Sequence, residues 1–302
     1  MKTVAAILAL VLHLTGGWNH VSSEGRAQLS RAGVNLPAPL PSLAVAPDLV
    51  PVRTGGQPPA IAPNASVYAF DRATGIALFE QNSDVKRPIA SVTKIITALV
   101  VLDRHQPTDL VTVGTLPAYD VAAETLGLKT GEVYTVGDLV TMALIPSAND
   151  AADALAMYDA GSVAAFSDRM NAKMATWGIT DAHFSNPSGL IDIDNTVSAK
   201  ALARIAQLVL AQPFITATIA LPSASVTSSV GRSFTITTTN KLLASDNFYG
   251  IKTGYTEAAG ECFIGLTKVN GHEIVTVLLG ADDRFGETRT LVNWIGREWT
   301  WL

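Results

Sequence analysis

Two serines in this chain each stand three residues before a lysine, at Ser83 and at Ser91. On a helix this spacing puts a hydroxyl and an amine one turn apart on the same face, where they can exchange a proton. Ser91 and Lys94 open an apolar pattern typical of a helix, whereas Ser83 and Lys86 lie in a polar run. The sequence therefore favours Ser91 as the reactive residue. Taken alone, however, this pair is better explained as a capping serine beside a solvated lysine.

A serine two residues before an asparagine also occurs twice. Ser147 and Asn149 follow a proline and precede a predicted helix, where a hydroxyl and an amide could project into a cleft. Ser245 and Asn247 precede a predicted strand, and we expect them to form a turn because Asp and Asn favour turns.

The triplet Lys-Thr-Gly is the third repeated motif. Residues 129–131 lie in polar surroundings and predict a solvated turn. Lys252, Thr253 and Gly254 lie on a predicted strand, where the glycine would let a ligand backbone run close to it. Only one choice of copies puts all three motifs in suitable surroundings: the pairs that begin at Ser91 and Ser147, with residues 252–254.

The elements that must position these motifs are a sheet and a group of helices. Residues 66–71 and 75–80 predict a β-hairpin, and a helix is predicted to begin at or near Ser91. Further helices are predicted at residues 136–145, 149–158, 163–177, 198–210 and 287–299. Further strands are predicted at residues 234–238, 249–253, 262–267 and 273–279. This order predicts an α/β (α+β) fold, with a mainly antiparallel sheet built from both chain ends and an inserted helical lobe.

The composition divides the chain into three parts. It is 48% hydrophobic and 16% charged with one cysteine, which excludes a disordered chain and a disulfide scaffold. Residues 4–14 are apolar except for one histidine, so residues 1–23 are predicted to be a signal peptide or an N-terminal anchor. Eight of the 15 prolines fall between Pro37 and Pro63. We therefore expect a proline-rich linker over residues 24–64 and the folded domain over residues 65–302.

Charge and histidine content exclude several partners. Acidic residues outnumber basic ones, 26 to 21, and no basic run is present, so nucleic acid is not expected to bind. The five histidines show no spacing typical of metal ligands. The sequence predicts no metal site and no cofactor.

Taken together, the three motifs and their order resemble the serine penicillin-recognising enzymes. The flanking segments 90–94, 147–152, 186–190 and 251–256 are similar to the low-molecular-mass penicillin-binding proteins of the D-alanyl-D-alanine carboxypeptidase and endopeptidase family. The resemblance covers about residues 65–300. It implies the β-lactamase/transpeptidase-like fold, in which a sheet packed by helices stands beside a helical lobe and the site lies between them.

The resemblance also implies a mechanism. Ser91 would attack the carbonyl between two terminal D-alanines of a peptidoglycan stem peptide and form an acyl-enzyme, and Lys94 would accept its proton. Ser147 would relay a proton to the leaving amine. Asn149 would hold Lys94 and the substrate amide.

The strand residues would bind the substrate. By the same resemblance, Lys252 and Thr253 would hold the terminal carboxylate, and Gly254 would leave room for the substrate backbone. The backbone N–H groups of Ser91 and Tyr255 would form the oxyanion hole. β-Lactam antibiotics would be covalent inhibitors, and the protein would act outside the cytoplasm, in the periplasm or on the outer face of the cell membrane, with possible attachment to that membrane through the N-terminus.

Two alternative functions remain open, and the chain departs from the family's pattern at two points. The chain could instead be a D,D-endopeptidase that cleaves peptidoglycan cross-links, or a non-catalytic module that binds peptidoglycan. Family members tend to carry an arginine and an acid where this chain has Lys200 and Ala201, which puts a secondary substrate contact in doubt. No acidic residue can be assigned the deacylation role found in class A β-lactamases, so efficient hydrolysis of β-lactams is not expected.

Overall fold

A computed structural model of the chain describes residues 49–119, 123–190, 194–245 and 247–302. The predicted signal peptide or anchor, and residues 24–48 of the predicted linker, lie outside the described residues. The helices are α1 (Lys94–Leu102), α2 (Val136–Leu144), α3 (Asn149–Ala160), α4 (Val163–Thr176), α5 (Ala199–Ala211), α6 (Pro213–Ile219) and α7 (Arg284–Glu298). The strands are β1 (Pro51–Arg53), β2 (Ser66–Asp71), β3 (Ala77–Gln81), β4 (Lys86–Pro88), β5 (Leu110–Thr112), β6 (Val133–Thr135), β7 (Ala182–His183), β8 (Thr196–Ser198), β9 (Ser223–Thr227), β10 (Ser233–Thr237), β11 (Phe248–Thr256), β12 (Gly260–Val269), β13 (His272–Ala281) and β14 (Trp299–Trp301).

The central sheet has five antiparallel strands in the order β11-β12-β13-β2-β3. The hairpin β2–β3 comes from the N-terminal side of the domain, and β11, β12 and β13 come from the C-terminal side, as predicted. The long strands β12 and β13 are almost wholly buried because both faces of the sheet are covered. In a smaller three-stranded sheet β8 pairs with both β4 and β7, and two-stranded sheets pair β5 with β6 and β9 with β10.

Helices cover both faces of this sheet. Along β13, Val275, Val277 and Leu279 belong to a core that includes α1 and α5, whereas Ile274 and Leu278 belong to a second core that includes α7. This alternation follows from the two-residue period of a strand. The helical lobe, α2 to α4, joins the first core through contacts of α3 with α1, α2 and α4. The predicted fold class is therefore observed.

Local signals explain where the lobe helices begin and end. Thr135 and Asp138 form a reciprocal capping box at the start of α2, with the Thr135 hydroxyl accepting from the Asp138 N–H at 2.9 Å. Helix α3 ends at Gly161, whose φ of 78° is the left-handed conformation usual at a helix C-terminus. Most predicted helices agree with the observed bounds to within about three residues. Helix α6 was not predicted, because its seven residues are too few to show a clear helical period.

Strand β1 changes the expected domain boundary. Its residues 51–53 pair with residues 299–301 of β14, and the Arg53 guanidinium lies 5.2 Å from the centre of the Trp294 ring. The indole Nε1 of Trp294 also donates to the carbonyl of Gln57 at 2.7 Å. The compact unit begins at Leu49, so the predicted boundary at residue 65 lies inside it. A three-residue strand that starts with proline has no periodicity, and only its partner at the other chain end reveals it.

Within the part of the chain that the structure describes, no single helix has both the length and the apolar composition needed to cross a membrane. Helices α5 and α6 meet the criteria only as a pair, and the chain bends by 101° between them.

Candidate active site

Ser91 lies in a short 3₁₀ turn, Ala90–Thr93, that leads directly into α1. Lys94 is the first residue of that helix and is fully buried. Its Nζ donates to the Ser91 Oγ at 2.8 Å and to the backbone carbonyl of Ser188 at 2.8 Å. Ala90, just before the serine, has a φ of 47°, a strained value for a residue with a side chain. The structure thus forms the predicted hydroxyl–amine pair and holds the amine from a second side.

The loop that follows β7 packs against the turn and the helix that carry this pair. The side-chain hydroxyl of Thr97 on α1 donates to the Pro187 carbonyl at 2.6 Å. Asn195 is fully buried, and its amide donates to the Thr93 Oγ1 at 3.1 Å. Gly189 has a φ of 75°, and a Cβ at this position would lie 1.9 Å from the Ala90 carbonyl oxygen. The 186–190 segment therefore lies directly on the 3₁₀ turn, where only glycine fits.

Ser147 pairs with the second lysine. It lies between α2 and α3 with a φ of 70°, which is also uncommon for a residue with a side chain. The Nζ of Lys252 on β11 donates to the Ser147 Oγ at 2.9 Å and to the Thr253 carbonyl at 3.0 Å. Lys252 is 1% exposed. The site therefore contains two serine–lysine pairs, each with a buried amine.

Burial changes the proton affinity of both amines. Desolvation, and after it the positive charge of Lys252, lower the pKa of Lys94 well below its usual value. Desolvation, with a smaller effect of the Arg284 charge, lowers the pKa of Lys252 to about 7. A lysine with such a pKa exists partly as the free amine near neutral pH and can then accept a proton from a hydroxyl. The arrangement is able to activate a serine for nucleophilic attack.

Strand β11 runs against the turn that carries Ser91. A Cβ at Gly254 would lie 2.8 Å from the Ile89 carbonyl oxygen and 3.2 Å from the Ser91 backbone nitrogen, so a larger residue would push the strand away. The neighbouring Thr253 exchanges a hydroxyl hydrogen bond of 2.6 Å with Thr239. Tyr255, the next residue along, is 59% exposed.

These residues surround one cavity of about 220 Å³. Six of the eight predicted site residues line it, and Lys94 and Lys252 lie buried behind the two serines with which they pair. The lining residues are Ser91, Glu124, Ser147, Asn149, Leu190, Thr239, Thr253, Gly254, Tyr255 and Arg284.

Asn149 is in the cavity but does not make the expected contact with Lys94. Its backbone N–H donates to the Glu124 carbonyl at 2.8 Å, and its side-chain Oδ1 is buried without a hydrogen-bond partner among the described residues. Besides the Ser91 hydroxyl, Lys94 donates to the carbonyl of Ser188. Asn149 lines the cavity, although this oxygen is itself buried.

Sequence reasoning missed Arg284 and Glu124. Arg284 is the first residue of α7, and its Nη1 donates to the Gly254 carbonyl while its Nη2 lies 3.5 Å from a carboxylate oxygen of Glu261. Glu124 is exposed in the connection between β5 and β6. Neither belongs to a short motif, and only the fold brings them to the cavity. The sequence did single out residues 186–190 as a motif. It could not show that the backbone carbonyl of Ser188 would be the group that contacts Lys94.

The second copies of the motifs lie outside the cavity. The Ser83 hydroxyl donates to the Glu80 carboxylate at 2.9 Å, and Lys86 lies on β4. Residues 129–131 form the expected turn between β5 and β6. Ser245 and Asn247 flank Asp246, which lies outside the described residues. Lys200 does not line the cavity, and its amine lies 3.7 Å from the Asp84 carboxylate.

Comparison with known proteins places this geometry in a family. Residues 53–283 match the family described as D-alanyl-D-alanine carboxypeptidase. The chain is 32% identical to the D-alanyl-D-alanine carboxypeptidase DacB2 of Mycobacterium tuberculosis, over 74% of this chain and 79% of that protein. It is 30% identical to the D-alanyl-D-alanine endopeptidase of Pseudomonas aeruginosa, over 77% of each chain.

Solved structures agree with this assignment. The DD-transpeptidase of Streptomyces K15 superposes with a TM-score of 0.70 at 27% identity, over 76% of this chain and 95% of that one. A penicillin-binding protein of Listeria monocytogenes with cefotaxime bound superposes with a TM-score of 0.67 at 30% identity, over 78% and 98%. The predicted fold and enzyme class are confirmed, and the chain belongs to the D-alanyl-D-alanine carboxypeptidase family of serine hydrolases.

Proposed function

We propose that this chain removes the terminal D-alanine from peptidoglycan stem peptides through an acyl-enzyme formed on Ser91. The observation that carries the proposal is the fully buried amine of Lys94, which lies 2.8 Å from the Ser91 hydroxyl and has a lowered pKa. Such an amine can take the hydroxyl proton as the oxygen attacks a carbonyl carbon. Family membership supplies the substrate class.

Acylation uses both serine–lysine pairs. The Ser91 oxygen bonds to the carbonyl carbon between the two D-alanines while its proton passes to Lys94. The backbone N–H groups of Ser91 and Tyr255 stabilise the negative oxygen of the tetrahedral intermediate. The proton on Lys94 then passes through Ser147 to the leaving amine as the C–N bond breaks, which leaves Lys94 neutral again, and Lys252, 2.9 Å from the Ser147 hydroxyl, holds that hydroxyl in place.

The terminal carboxylate of the substrate is held at the β11 side of the cavity. Lys252 and Arg284 supply positive charge there, and the Thr253 hydroxyl supplies a hydrogen bond. The side-chain amide of Asn149, which lines the cavity, holds the substrate amide. Water next attacks the ester carbon while Lys94 takes a proton from that water; Lys94 returns this proton to the Ser91 oxygen as the ester bond breaks, and the shortened peptide leaves with its new carboxylate.

A D,D-endopeptidase activity is the second candidate, because one relative of similar identity is named an endopeptidase. Purified protein should be incubated with a stem pentapeptide and with a cross-linked muropeptide dimer, and the products identified by mass. Release of D-alanine from the pentapeptide supports the carboxypeptidase, and conversion of dimer to monomers supports the endopeptidase. If both substrates bind and neither gives a product, the chain is a non-catalytic module that binds peptidoglycan.

β-Lactams should acylate the same serine because their strained amide imitates the scissile bond. The cavity contains one acidic side chain among its lining residues, Glu124, which the sequence did not single out. We keep the expectation that the β-lactam adduct turns over slowly. Its lifetime can be followed by intact-protein mass spectrometry after excess antibiotic has been removed.

We also propose that the protein acts outside the cytoplasm, with residues 1–23 directing export or serving as an anchor. The apolar run over residues 4–14 and the peptidoglycan substrate of the family support this location. Cell fractionation with N-terminal mass analysis tests it. Protein found in the cytoplasmic fraction would contradict it, and an uncleaved N-terminus in the membrane fraction would favour the anchor.

A further inference from the structure

One wall of the cavity carries a carboxylate that the proposed chemistry does not use. This wall is formed by Asn149 at the start of α3 and by Glu124, which comes from the connection between β5 and β6. Another wall of the cavity is formed by residues of β11, namely Thr253, Gly254 and Tyr255. Arg284 donates a hydrogen bond to the Gly254 carbonyl of that strand. Glu124 is the one acidic residue among the described residues that line the cavity.

The segment that carries Glu124 is tied to the start of α3. The Glu124 carbonyl accepts from the Asn149 N–H at 2.8 Å. The carboxylate of Asp150, which is 1% exposed, accepts from the Leu126 N–H at 3.0 Å and from the Leu128 N–H at 2.9 Å. One backbone hydrogen bond to Asn149 and two to the Asp150 carboxylate therefore hold the segment that contains Glu124 beside the site. The fold therefore places the backbone of Glu124 at the edge of the cavity.

The Glu124 carboxylate itself is left available. The side chain is exposed and makes no hydrogen bond or ion pair with any residue that the structure describes. Its charge nevertheless reaches the floor of the cavity, because it raises the pKa of Lys94 and of Lys252 against the larger effect of burial. An unpaired negative charge at the rim attracts a cationic group of a ligand and repels an anionic one.

The two walls thus carry opposite charges. Lys252 and Arg284 stand at the β11 side, where the substrate carboxylate is proposed to bind, and Glu124 stands at the α3 side. We infer that Glu124 is a specificity residue that binds an ammonium group on the acyl side of the peptide, such as the side-chain amine of a diamino acid that precedes the two D-alanines. This inference rests on the proposed function, because it names the substrate class of that same site.

The test compares three peptides that end in D-Ala-D-Ala and differ only at the amine of the preceding residue. In one the amine is free, in the second it is acetylated and neutral, and in the third it is succinylated and anionic. We expect the unchanged protein to prefer the free amine over the acetylated form by about two- to fivefold in kcat/KM, the range of an ion pair at an exposed site. Most of the effect should be in KM, since the contact forms in the ground state.

Substitutions then assign the preference to one side chain. Glu124→Gln should treat the free and acetylated amines alike, and Glu124→Lys should prefer the succinylated peptide. Asp168→Asn is the matched control, because Asp168 is an exposed acid on α4 that does not line the cavity. It should keep the full preference. Raising the salt concentration should reduce the preference of the unchanged protein.

The other outcomes are distinct. If Glu124→Gln changes all three peptides by the same factor, the carboxylate acts only through the charge of the lysines, and the inference is wrong. If the acyl-enzyme accumulates in that variant, Glu124 serves deacylation instead, and the inference is equally wrong. Absence of D-alanine release from every peptide with the unchanged protein would refute the proposed function itself, whereas release without a preference would refute only this inference.

Discussion

At the scale of single residues, the site consists of two hydroxyl groups, each paired with a buried amine. The sequence predicted Ser91 with Lys94 because one helical turn joins them. It could not predict the pairing of Ser147 with Lys252 at 2.9 Å, since 105 residues separate these two and only the fold brings them together. It also assigned to Asn149 a contact with Lys94 that these two residues do not make in the structure, and it could not show that Lys94 would donate to the Ser188 carbonyl, because a backbone group has no signature in the sequence.

The proton affinity of Lys94 depends on its neighbour. Burial is the main cause of its lowered pKa and the charge of Lys252 is the second, so Lys252→Met should raise the pKa of Lys94. Because Lys94 must be neutral to act as a base, activity is lost as the pH falls through its pKa. The acid limb of the residual rate of acylation by benzylpenicillin should therefore move to higher pH in this variant. An acid limb at the same pH in both proteins would show that Lys252 does not tune Lys94.

The same variant should be more stable than the natural protein near neutral pH. Lys252 has a pKa of about 7 in the folded chain, against about 10.4 when unfolded. Its burial therefore lowers the free energy of unfolding by the full amount below about pH 7, and this cost disappears as the pH rises to about 10.4. Lys252→Met removes the buried amine, and we expect a gain of about 1–4 kcal/mol in the free energy of unfolding at pH 7.

This gain should shrink as the pH approaches 10, which denaturant unfolding at several pH values can follow. Lys268→Met is the matched control, because Lys268 is an exposed lysine on β12 and its replacement should give no such pH dependence. If the natural protein is more stable than Lys252→Met at pH 7, burial of the Lys252 amine does not destabilise the fold, and the prediction is wrong.

At the scale of elements, tight backbone contacts set the site. The turn with Ser91 lies between Gly189 on one side and Gly254 on the other, and a Cβ at either position would meet backbone atoms of that turn. The sequence predicted most long helices and strands, because each buries an apolar stripe with a clear period. It missed short elements such as α6 and β1, whose stability comes from packing and pairing with distant residues.

Gly189→Ala tests the contact between loop and turn. A Cβ there would lie 1.9 Å from the Ala90 carbonyl oxygen, and the φ of 75° is itself unfavourable for alanine. We expect a loss of at least about 3 kcal/mol in the free energy of unfolding, together with slower acylation of the folded protein.

Gly161→Ala is the control for the backbone angle alone. Gly161 has a φ of 78° at the end of α3, but a Cβ there would meet nothing within 4 Å. This variant should lose only about 1 kcal/mol and keep normal acylation. Equal losses in the two variants would mean that the loop does not press on the turn at Ala90.

At the scale of the whole molecule, the two ends of the domain are joined. Strand β1 pairs with β14, and Trp294 on α7 is held by Arg53 and by the Gln57 carbonyl. The proline-rich composition predicted a linker that extends to residue 64, but composition does not show which residues of such a segment will find a partner strand. The compact unit includes the residues from Leu49 onward.

Truncation tests the contribution of this join. A chain that begins at residue 58 lacks β1 and should have a Tm about 5–10 °C below that of a chain that begins at residue 49, as the loss of a few kcal/mol implies for a domain of this size. Acylation by penicillin at low temperature should be the same in both, because β1 and β14 contain none of the residues that line the cavity. Equal Tm values would show that the domain begins later than Leu49.

The central claim is that Ser91 is the nucleophile and that the geometry of its turn, and not the spacing of the motif alone, makes it so. The most direct measurement is mass spectrometry of the protein and of its peptides after incubation with benzylpenicillin, for the natural chain, Ser91→Ala and Ser83→Ala. We predict one adduct, located on the peptide that contains Ser91, absent in Ser91→Ala and unchanged in Ser83→Ala. An adduct that persists in Ser91→Ala, or that maps to the Ser83 peptide, would contradict the claim.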